Sequence, residues 1–154
     1  MTKLAIFAAG CFWGIEEKFL SHRGVLDTEV GYIGGITSDP TYHDVCSGET
    51  GHAEAVRVKF DEDVVSYEEL VNSFFKMHDP TTLNRQGPDI GTQYRSEIFC
   101  LDDDQYLIAD GIKRNFNKEV YDDKIVTSIS MADNFWIAEE YHQKYVRKKK
   151  NMIF

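Results

Sequence analysis

The chain has 154 residues and a formal net charge of −9. This length fits one domain, expected over residues 1–154, and the acidic balance argues against nucleic acid or an anionic membrane as partner. Aromatic residues make up 13% of the chain, which excludes a disordered or low-complexity protein. Three cysteines do not form a disulfide framework, so we expect free thiols and a cytoplasmic location.

The first half of the chain predicts three strands and two helices. The apolar run 3–9 predicts a buried strand, and apolar residues then recur at helical spacing from Cys11 onward. A second strand is predicted over 25–33, followed by a long polar loop over 34–51. Residues 52–60 alternate and predict a third strand, and a helix begins after it at a Ser capping residue.

The second half continues the alternation of strands and helices. A turn-rich loop over 80–93 precedes a predicted strand at 94–101, a helix at 103–118 and a strand at 125–131. Further apolar and aromatic residues at steps of three and four predict a final helix: Phe135, Ala138, His142 and Tyr145.

This element order predicts an α+β fold. Two β-α-β units in tandem are typical of a two-layer ferredoxin-like plait, in which helices pack on a mixed β-sheet. The final helix is then a C-terminal helical extension.

Cys11 lies where the first strand passes into the first helix, between Gly10 and the aromatic pair Phe12 and Trp13. A helix N-terminus favours an anion, so we expect a thiolate of lowered pKa there. The two aromatic rings form a candidate pocket for a small apolar group such as a methyl or thioether. A buried, inert cysteine followed by two core aromatics fits the same residues.

Glu54 shares a strand face with Val56, Val58 and Phe60. If that face meets the core, desolvation raises the pKa of the carboxyl group and makes it a candidate general acid. A solvated residue at the open end of the strand is the alternative.

Four further polar residues are candidates for the same site. Tyr42, Asp89 and Tyr94 lie in or beside the two turn-rich loops, and His52 begins the third strand. Phenolic hydroxyls can donate to a developing oxyanion.

Three rival functions remain open on the residues alone. A metal site at Cys46, His43 and His52 matches no common zinc spacing. A cysteine-dependent hydrolase would pair Cys11 with His142, and a non-catalytic thiol redox sensor would need only the reactive thiol.

Six short motifs occur in chain order: GCFWG at 10–14, PTY at 40–42, VCSG at 45–48, GHAEAV at 51–56, GTQYRS at 91–96 and YHQKY at 141–145. Together they resemble the successive signatures of the type A peptide methionine sulfoxide reductases. The resemblance implies a two-layer α/β plait that reduces methionine-S-sulfoxide, free or in oxidised proteins, through a cysteine sulfenic acid.

The resemblance also assigns roles. Cys11 matches the nucleophile and Glu54 the acid that protonates the sulfoxide oxygen. The remaining matches are substrate-binding: Phe12 and Trp13 hold the methyl group, and Tyr42, Asp89 and Tyr94 surround the oxygen. No bound cofactor or metal is implied, and we expect a monomer.

The recycling step departs from many relatives, which carry a resolving cysteine in a C-terminal tail. This sequence has no cysteine after Cys100, a residue expected to be buried. The sulfenic acid at Cys11 is then resolved either by Cys46 or by an external thiol such as thioredoxin, glutaredoxin or glutathione. We favour the external thiol.

Overall fold

The computed structural model describes residues 1–151 and contains one six-stranded mixed sheet. Its elements, in chain order, are β1 (Thr2–Ala9), α1 (Phe12–Leu20), β2 (Val25–Ile33), α2 (Tyr42–Cys46), β3 (Ala53–Asp61), α3 (Tyr67–Lys76), β4 (Arg85–Gln86), β5 (Asp89–Ile90), β6 (Ser96–Cys100), α4 (Asp103–Glu119), β7 (Ser128–Met131), β8 (Trp136–Ile137) and α5 (Tyr145–Asn151). Two short 3₁₀ turns lie at Thr92–Tyr94 and Glu140–His142.

The strands are ordered β7-β6-β1-β3-β2-β8, and only the β6–β7 pair is parallel. The four central strands come from the two β-α-β units, so the ferredoxin-like plait with its mixed sheet is confirmed. Residues 5–9 of β1 are buried on both faces, which accounts for their continuous apolar sequence.

Helices α1, α3 and α4 cover one face of the sheet. Their apolar residues pack with Phe7 of β1 and Val56 of β3 in the main core. The apolar cluster on the opposite face of the sheet is smaller. There, Ala55 and Phe99 pack against Phe135, which lies in the segment after β7. Burial of both faces explains why successive residues of β1 are apolar from Ala5 onward.

The predicted final helix over Phe135 to Tyr145 is wrong. Trp136–Ile137 form an edge strand on β2, and the helical extension begins only at Tyr145. The pairing joins this segment to the outer edge of β2, and the carbonyl of Val30 also accepts from the N–H of Ala138 at 2.9 Å. Backbone pairing at this edge outweighs the helical spacing of the side chains.

Both predicted loops contain short elements. The segment 34–51 includes α2, which Thr41 caps by accepting from the backbone N–H of Asp44. The segment 80–93 includes the β4–β5 hairpin. Among the helices of the described residues, none has the length and apolar character that a bilayer crossing requires.

The C-terminal segment is fastened to α1 through a buried carboxylate. Glu16 is fully buried and accepts from the backbone N–H of Lys144 and from the Thr28 hydroxyl, each at 2.7 Å. The ammonium group of Lys144 lies 3.8 Å from the same carboxylate. Three elements distant in sequence therefore meet at one side chain.

We expect Glu16→Ala to lower the free energy of unfolding by about 2–3 kcal/mol, because two buried donors lose their acceptor. Glu17→Ala is the matched control: its partners Arg147 and Lys150 are exposed, so the loss should stay below about 1 kcal/mol. Urea unfolding of both variants measures the difference. Equal losses of unfolding free energy in the two variants would contradict the conclusion that Glu16 holds the C-terminal segment against α1.

Candidate active site

Cys11 occupies the junction between β1 and α1 and is half-buried with a free thiol. Gly10 makes the junction possible, since its φ is +103° and a Cβ there would lie 2.9 Å from Gln86. Cys11 is the N-cap residue of α1 but makes no capping hydrogen bond through its side chain. The sulfur is therefore not committed to a structural role.

The expected lowering of the Cys11 pKa is wrong in direction. Burial raises the pKa of the thiol to about 11, and the negative charges of Glu54 and Asp89 add to that rise. The backbone N–H groups of Trp13 and Gly14 lower it, as the helix N-terminus predicts, but by less. At neutral pH, Cys11 is therefore a thiol rather than a thiolate.

Glu54 faces the helix side of the sheet and is 1% exposed. Its Oε1 accepts from the backbone N–H of Phe12 at 3.2 Å, whereas Oε2 has no partner within the described chain. Burial raises the pKa of the carboxyl group to about 7, against the lowering effect of the Phe12 N–H. The prediction of a desolvated acid on the core face is confirmed, and the solvated alternative is excluded.

An aromatic wall borders the thiol. Phe12 is buried and Trp13 half-buried, and the ring of Tyr42 lies 6.4 Å from the first and 6.5 Å from the second. Trp13 also stacks on Tyr145 at 3.9 Å between ring centroids. The structure thus brings the two predicted methyl-binding residues, which follow Cys11 in the chain, together with Tyr42.

Asp89 and Tyr94 reach the site from the β4–β5 hairpin and the turn after it. Burial raises the pKa of Tyr94 to about 12. The negative charges of Glu54 and Asp89 also raise this pKa, and Glu54 has the larger effect of the two. Asp89 in turn raises the pKa of Glu54. The charges of Glu54 and Asp89 also act on the Cys11 thiol, as expected if these residues lie near one another.

Sequence reasoning missed Glu139. One of its carboxylate oxygens accepts from the Tyr32 hydroxyl and the other from the backbone N–H of Tyr42, each at 2.9 Å. Glu139 therefore holds α2 against β2 and sets the position of Tyr42. Glu139 lies just before the YHQKY motif, but no sequence pattern indicated a role for its carboxylate.

His142 does not serve as a base for Cys11. Its Nδ1 accepts from the indole N–H of Trp13 at 2.9 Å, and its Nε2 is buried without a partner in the described residues. The pairing that a cysteine hydrolase needs is therefore not formed.

His52 has a structural role. Its Nδ1 accepts from the N–H of Gly35 at 3.0 Å, which leaves Nε2 to donate to the carbonyl of Thr37 at 2.7 Å. His43 is exposed in α2. Within residues 1–151, no three His, Cys, Asp or Glu side chains come close enough to hold a metal.

The two other cysteines differ in their surroundings. Cys100 is fully buried in the main core, as expected. Cys46 is exposed at the end of α2 and lies beside Tyr42, and burial of its sulfur raises the pKa of its thiol. The charge of Glu54 also raises that pKa, which places Cys46 near the edge of the site.

A free thiol, a buried acid with a pKa near neutrality and an aromatic wall, carried on a ferredoxin-like plait, are what an enzyme that works through a cysteine requires. A model of the family "Peptide methionine sulfoxide reductase" matches residues 3–153. A reductase of that name from Methanothermobacter thermautotrophicus is 54% identical over 145 residues, which are 94% of this chain and 86% of the relative. The chain belongs to the peptide methionine sulfoxide reductase family.

Solved structures of this family have the same fold. The reduced form of Mxr1 from Saccharomyces cerevisiae superimposes with a TM-score of 0.92 at 39% identity, covering 97% of this chain and 86% of that one. Mxr1 in complex with Trx2 superimposes with a TM-score of 0.67 at 27% identity, covering 94% and 84%.

Iodoacetamide alkylates the thiolate form of Cys11, so the alkylation rate should rise with pH. We expect the inflection of this profile to lie well above the ordinary thiol pKa of about 8.5, because burial and the charge of Glu54 disfavour the thiolate. Glu54→Gln should move this inflection to lower pH, since it removes a neighbouring negative charge. Mass spectrometry of the peptide containing Cys11 gives the rate at each pH. Glu119→Gln, at the exposed end of α4, is the control and should leave the profile unchanged.

An inflection below about 8.5 in the unmodified protein would contradict this thiol assignment. So would an unchanged profile in Glu54→Gln.

Proposed function

We propose that this chain reduces methionine-S-sulfoxide to methionine, with Cys11 as nucleophile and Glu54 as proton donor. The observation that carries the proposal is the hydrogen bond from the N–H of Phe12 to Glu54 Oε1. It fixes a buried acid of pKa about 7 beside the residue that bears the reactive thiol, and leaves Oε2 free for a substrate oxygen.

Cys11 and Glu54 together account for every proton and bond that changes in the reduction step. Glu54 gives its proton to the sulfoxide oxygen while the sulfur of Cys11, having lost its own proton, bonds to the substrate sulfur. The hydroxyl then moves to the Cys11 sulfur as the bond between the two sulfurs breaks. The products are the thioether of methionine and a sulfenic acid on Cys11, and the thiol proton restores Glu54.

The surrounding side chains contact different groups of the substrate. Phe12 and Trp13 offer apolar surface to the methyl group, which selects a small thioether-like substituent. The hydroxyls of Tyr42 and Tyr94 can donate to the sulfoxide oxygen, and raised pKa values keep both protonated over the working range. Burial raises the pKa of Glu54, and the charge of Asp89 adds to that rise. Free and protein-bound methionine sulfoxide both present these groups.

An external thiol, with thioredoxin as the first candidate, returns Cys11 from sulfenic acid to thiol in this proposal. The complex of Mxr1 with Trx2 supports this choice, since that relative shares the fold. Cys46 is the weaker resolving candidate, because desolvation raises the pKa of its thiol and so disfavours the thiolate that attacks a sulfenic acid. Glutaredoxin or glutathione could act in the same way.

The chain is proposed to act as one domain and as a monomer in a reducing compartment such as the cytoplasm. The family match over residues 3–153 supports a single unit. Three free cysteines support the compartment.

Cys11→Ser is expected to abolish sulfoxide reduction, because a hydroxyl is a far weaker nucleophile than a thiol. Glu54→Gln should slow formation of the sulfenic acid by ~10²–10⁴-fold, because it cannot protonate the oxygen. Single-turnover assays with methionine sulfoxide and no reductant measure this step directly. Glu119→Gln again serves as control, and activity retained in Cys11→Ser would refute the nucleophile.

Cys46→Ser should keep most of the turnover when thioredoxin is the reductant, since the external thiol attacks the sulfenic acid directly. Thiol titration after one equivalent of substrate shows the state reached without reductant, and Cys100→Ala is the control. Loss of turnover, together with a disulfide between Cys11 and Cys46 in mass spectrometry, would show that Cys46 is the resolving thiol.

A further inference from the structure

Two side chains share one face of the β4–β5 hairpin. Gln86 of β4 pairs directly with Asp89 of β5, and the two residues flank the turn Gly87–Pro88. Directly opposite residues of an antiparallel pair lie on the same face, with Cβ atoms about 5 Å apart. Gly87 has a φ of +58°, the conformation that glycine supplies at the first position of a two-residue hairpin turn. The position of Gln86 therefore fixes that of Asp89.

Gln86 is held along the whole length of its side chain. Its Oε1 accepts from the backbone N–H of Asp79 at 2.9 Å, and its Nε2 donates to the carbonyl of the same residue at 2.7 Å. The carbon stem lies against Gly10, since a Cβ built on that glycine would be 2.9 Å from both Cβ and Cγ of Gln86. The next residue is Cys11, so one side chain links the hairpin to the backbone that carries the thiol.

The backbone that binds this amide is itself fixed. Asp79 follows His78, whose Nδ1 donates to the carbonyl of Phe74 and whose Nε2 accepts from the Ser96 hydroxyl, each at 2.7 Å. Burial lowers the pKa of His78 to about 4, so the ring stays neutral and keeps this pattern at neutral and alkaline pH. The Ser96 hydroxyl in turn accepts from Thr127 at 2.7 Å. The end of α3 is thus a stationary anchor that is tied to β6.

We propose that Gln86 is a positioning residue that holds the carboxylate of Asp89 beside Cys11. Gln86 touches no reacting atom, and its effect on the site passes through the hairpin and through the contact with Gly10. For turnover, the inference rests on the proposed function, in which Asp89 is one of the substrate-binding residues. For the thiol, it can be tested without substrate.

The ionisation of Cys11 reports where Asp89 lies. The ionisable groups coupled to the thiol are Glu54 of β3, Asp89 of β5 and Tyr94 of the turn that follows. Burial is the largest cause of the raised Cys11 pKa, and the charges of Glu54 and Asp89 add to it. Loss of the Gln86 amide frees the hairpin, so Asp89 moves away and the pKa of the thiol falls. Once Asp89 is uncharged, the same loss should have no effect.

The first test is a double-variant cycle on the alkylation profile of Cys11. Gln86→Met keeps the length of the side chain and removes both hydrogen bonds, whereas Asp89→Asn removes the charge. The inflection with iodoacetamide should fall by about 1 pH unit in Asp89→Asn and by about 0.5 in Gln86→Met. The double variant should match Asp89→Asn to within about 0.2 pH unit. Ile90→Thr, at an exposed position of the same hairpin, is the control and should leave the profile unchanged.

The second test measures sulfoxide reduction in single turnovers. Gln86→Met should lower the limiting rate about 10-fold, because a displaced hairpin moves Asp89 away from the substrate. In the Asp89→Asn background, the same change should cost less than about 2-fold. A chain that reduces no methionine sulfoxide at all would refute the proposed function, but the alkylation cycle would still decide whether Gln86 holds Asp89.

Additive shifts in the double variant would show that Gln86 acts on Cys11 through burial and not through Asp89, and would overturn the inference. An unchanged inflection in either single variant would do the same. If Gln86→Met does not fold, Gln86→Asn replaces it in the cycle, since its shorter chain cannot reach both backbone groups of Asp79. In the unmodified, isotope-labelled protein, a scalar coupling should join the Asp79 amide nitrogen to Cδ of Gln86 across the hydrogen bond, and its absence would also overturn the inference.

Discussion

The hydrogen bond from the backbone N–H of Phe12 to Glu54 is the interaction on which the site depends. It joins the first turn of α1 to the middle of the sheet, so the thiol and the acid are placed by one contact. The N–H would otherwise be one of the unpaired donors of a helix N-terminus. A long side chain from a neighbouring strand satisfies it, and the same side chain supplies the proton for the proposed chemistry.

The central plait could be predicted from the sequence because its signals are local. β1 coincides with an apolar run, and α3 begins after Ser66, whose hydroxyl accepts from a backbone N–H in the first turn. The end of the chain could not be predicted in this way. Spacing at steps of three and four is equally compatible with a segment that pairs its backbone with β2, and only the open edge of that strand decides between them.

The site shows the same division between local and distant causes. Alternation in β3 placed Glu54 on the core face, and its desolvation follows directly from that position. The pKa of Cys11 was mispredicted because helix position is visible in the sequence, whereas burial and the charges of Glu54 and Asp89 are not. Glu139 and His142 act through contacts more than 90 residues away in sequence, which no local pattern reveals.

The two pKa values also define how the resting site must be activated. Between pH of about 7 and about 11, the pair formed by Cys11 and Glu54 carries one proton, and the favoured arrangement keeps it on sulfur. The reactive arrangement places that proton on the carboxyl group instead. A sulfoxide oxygen at Oε2 favours the transfer, because a protonated Glu54 can donate to it and no longer opposes the thiolate. In the proposed mechanism, binding energy gained at the aromatic wall would therefore activate the nucleophile, and the free thiol would resist oxidation until substrate arrives.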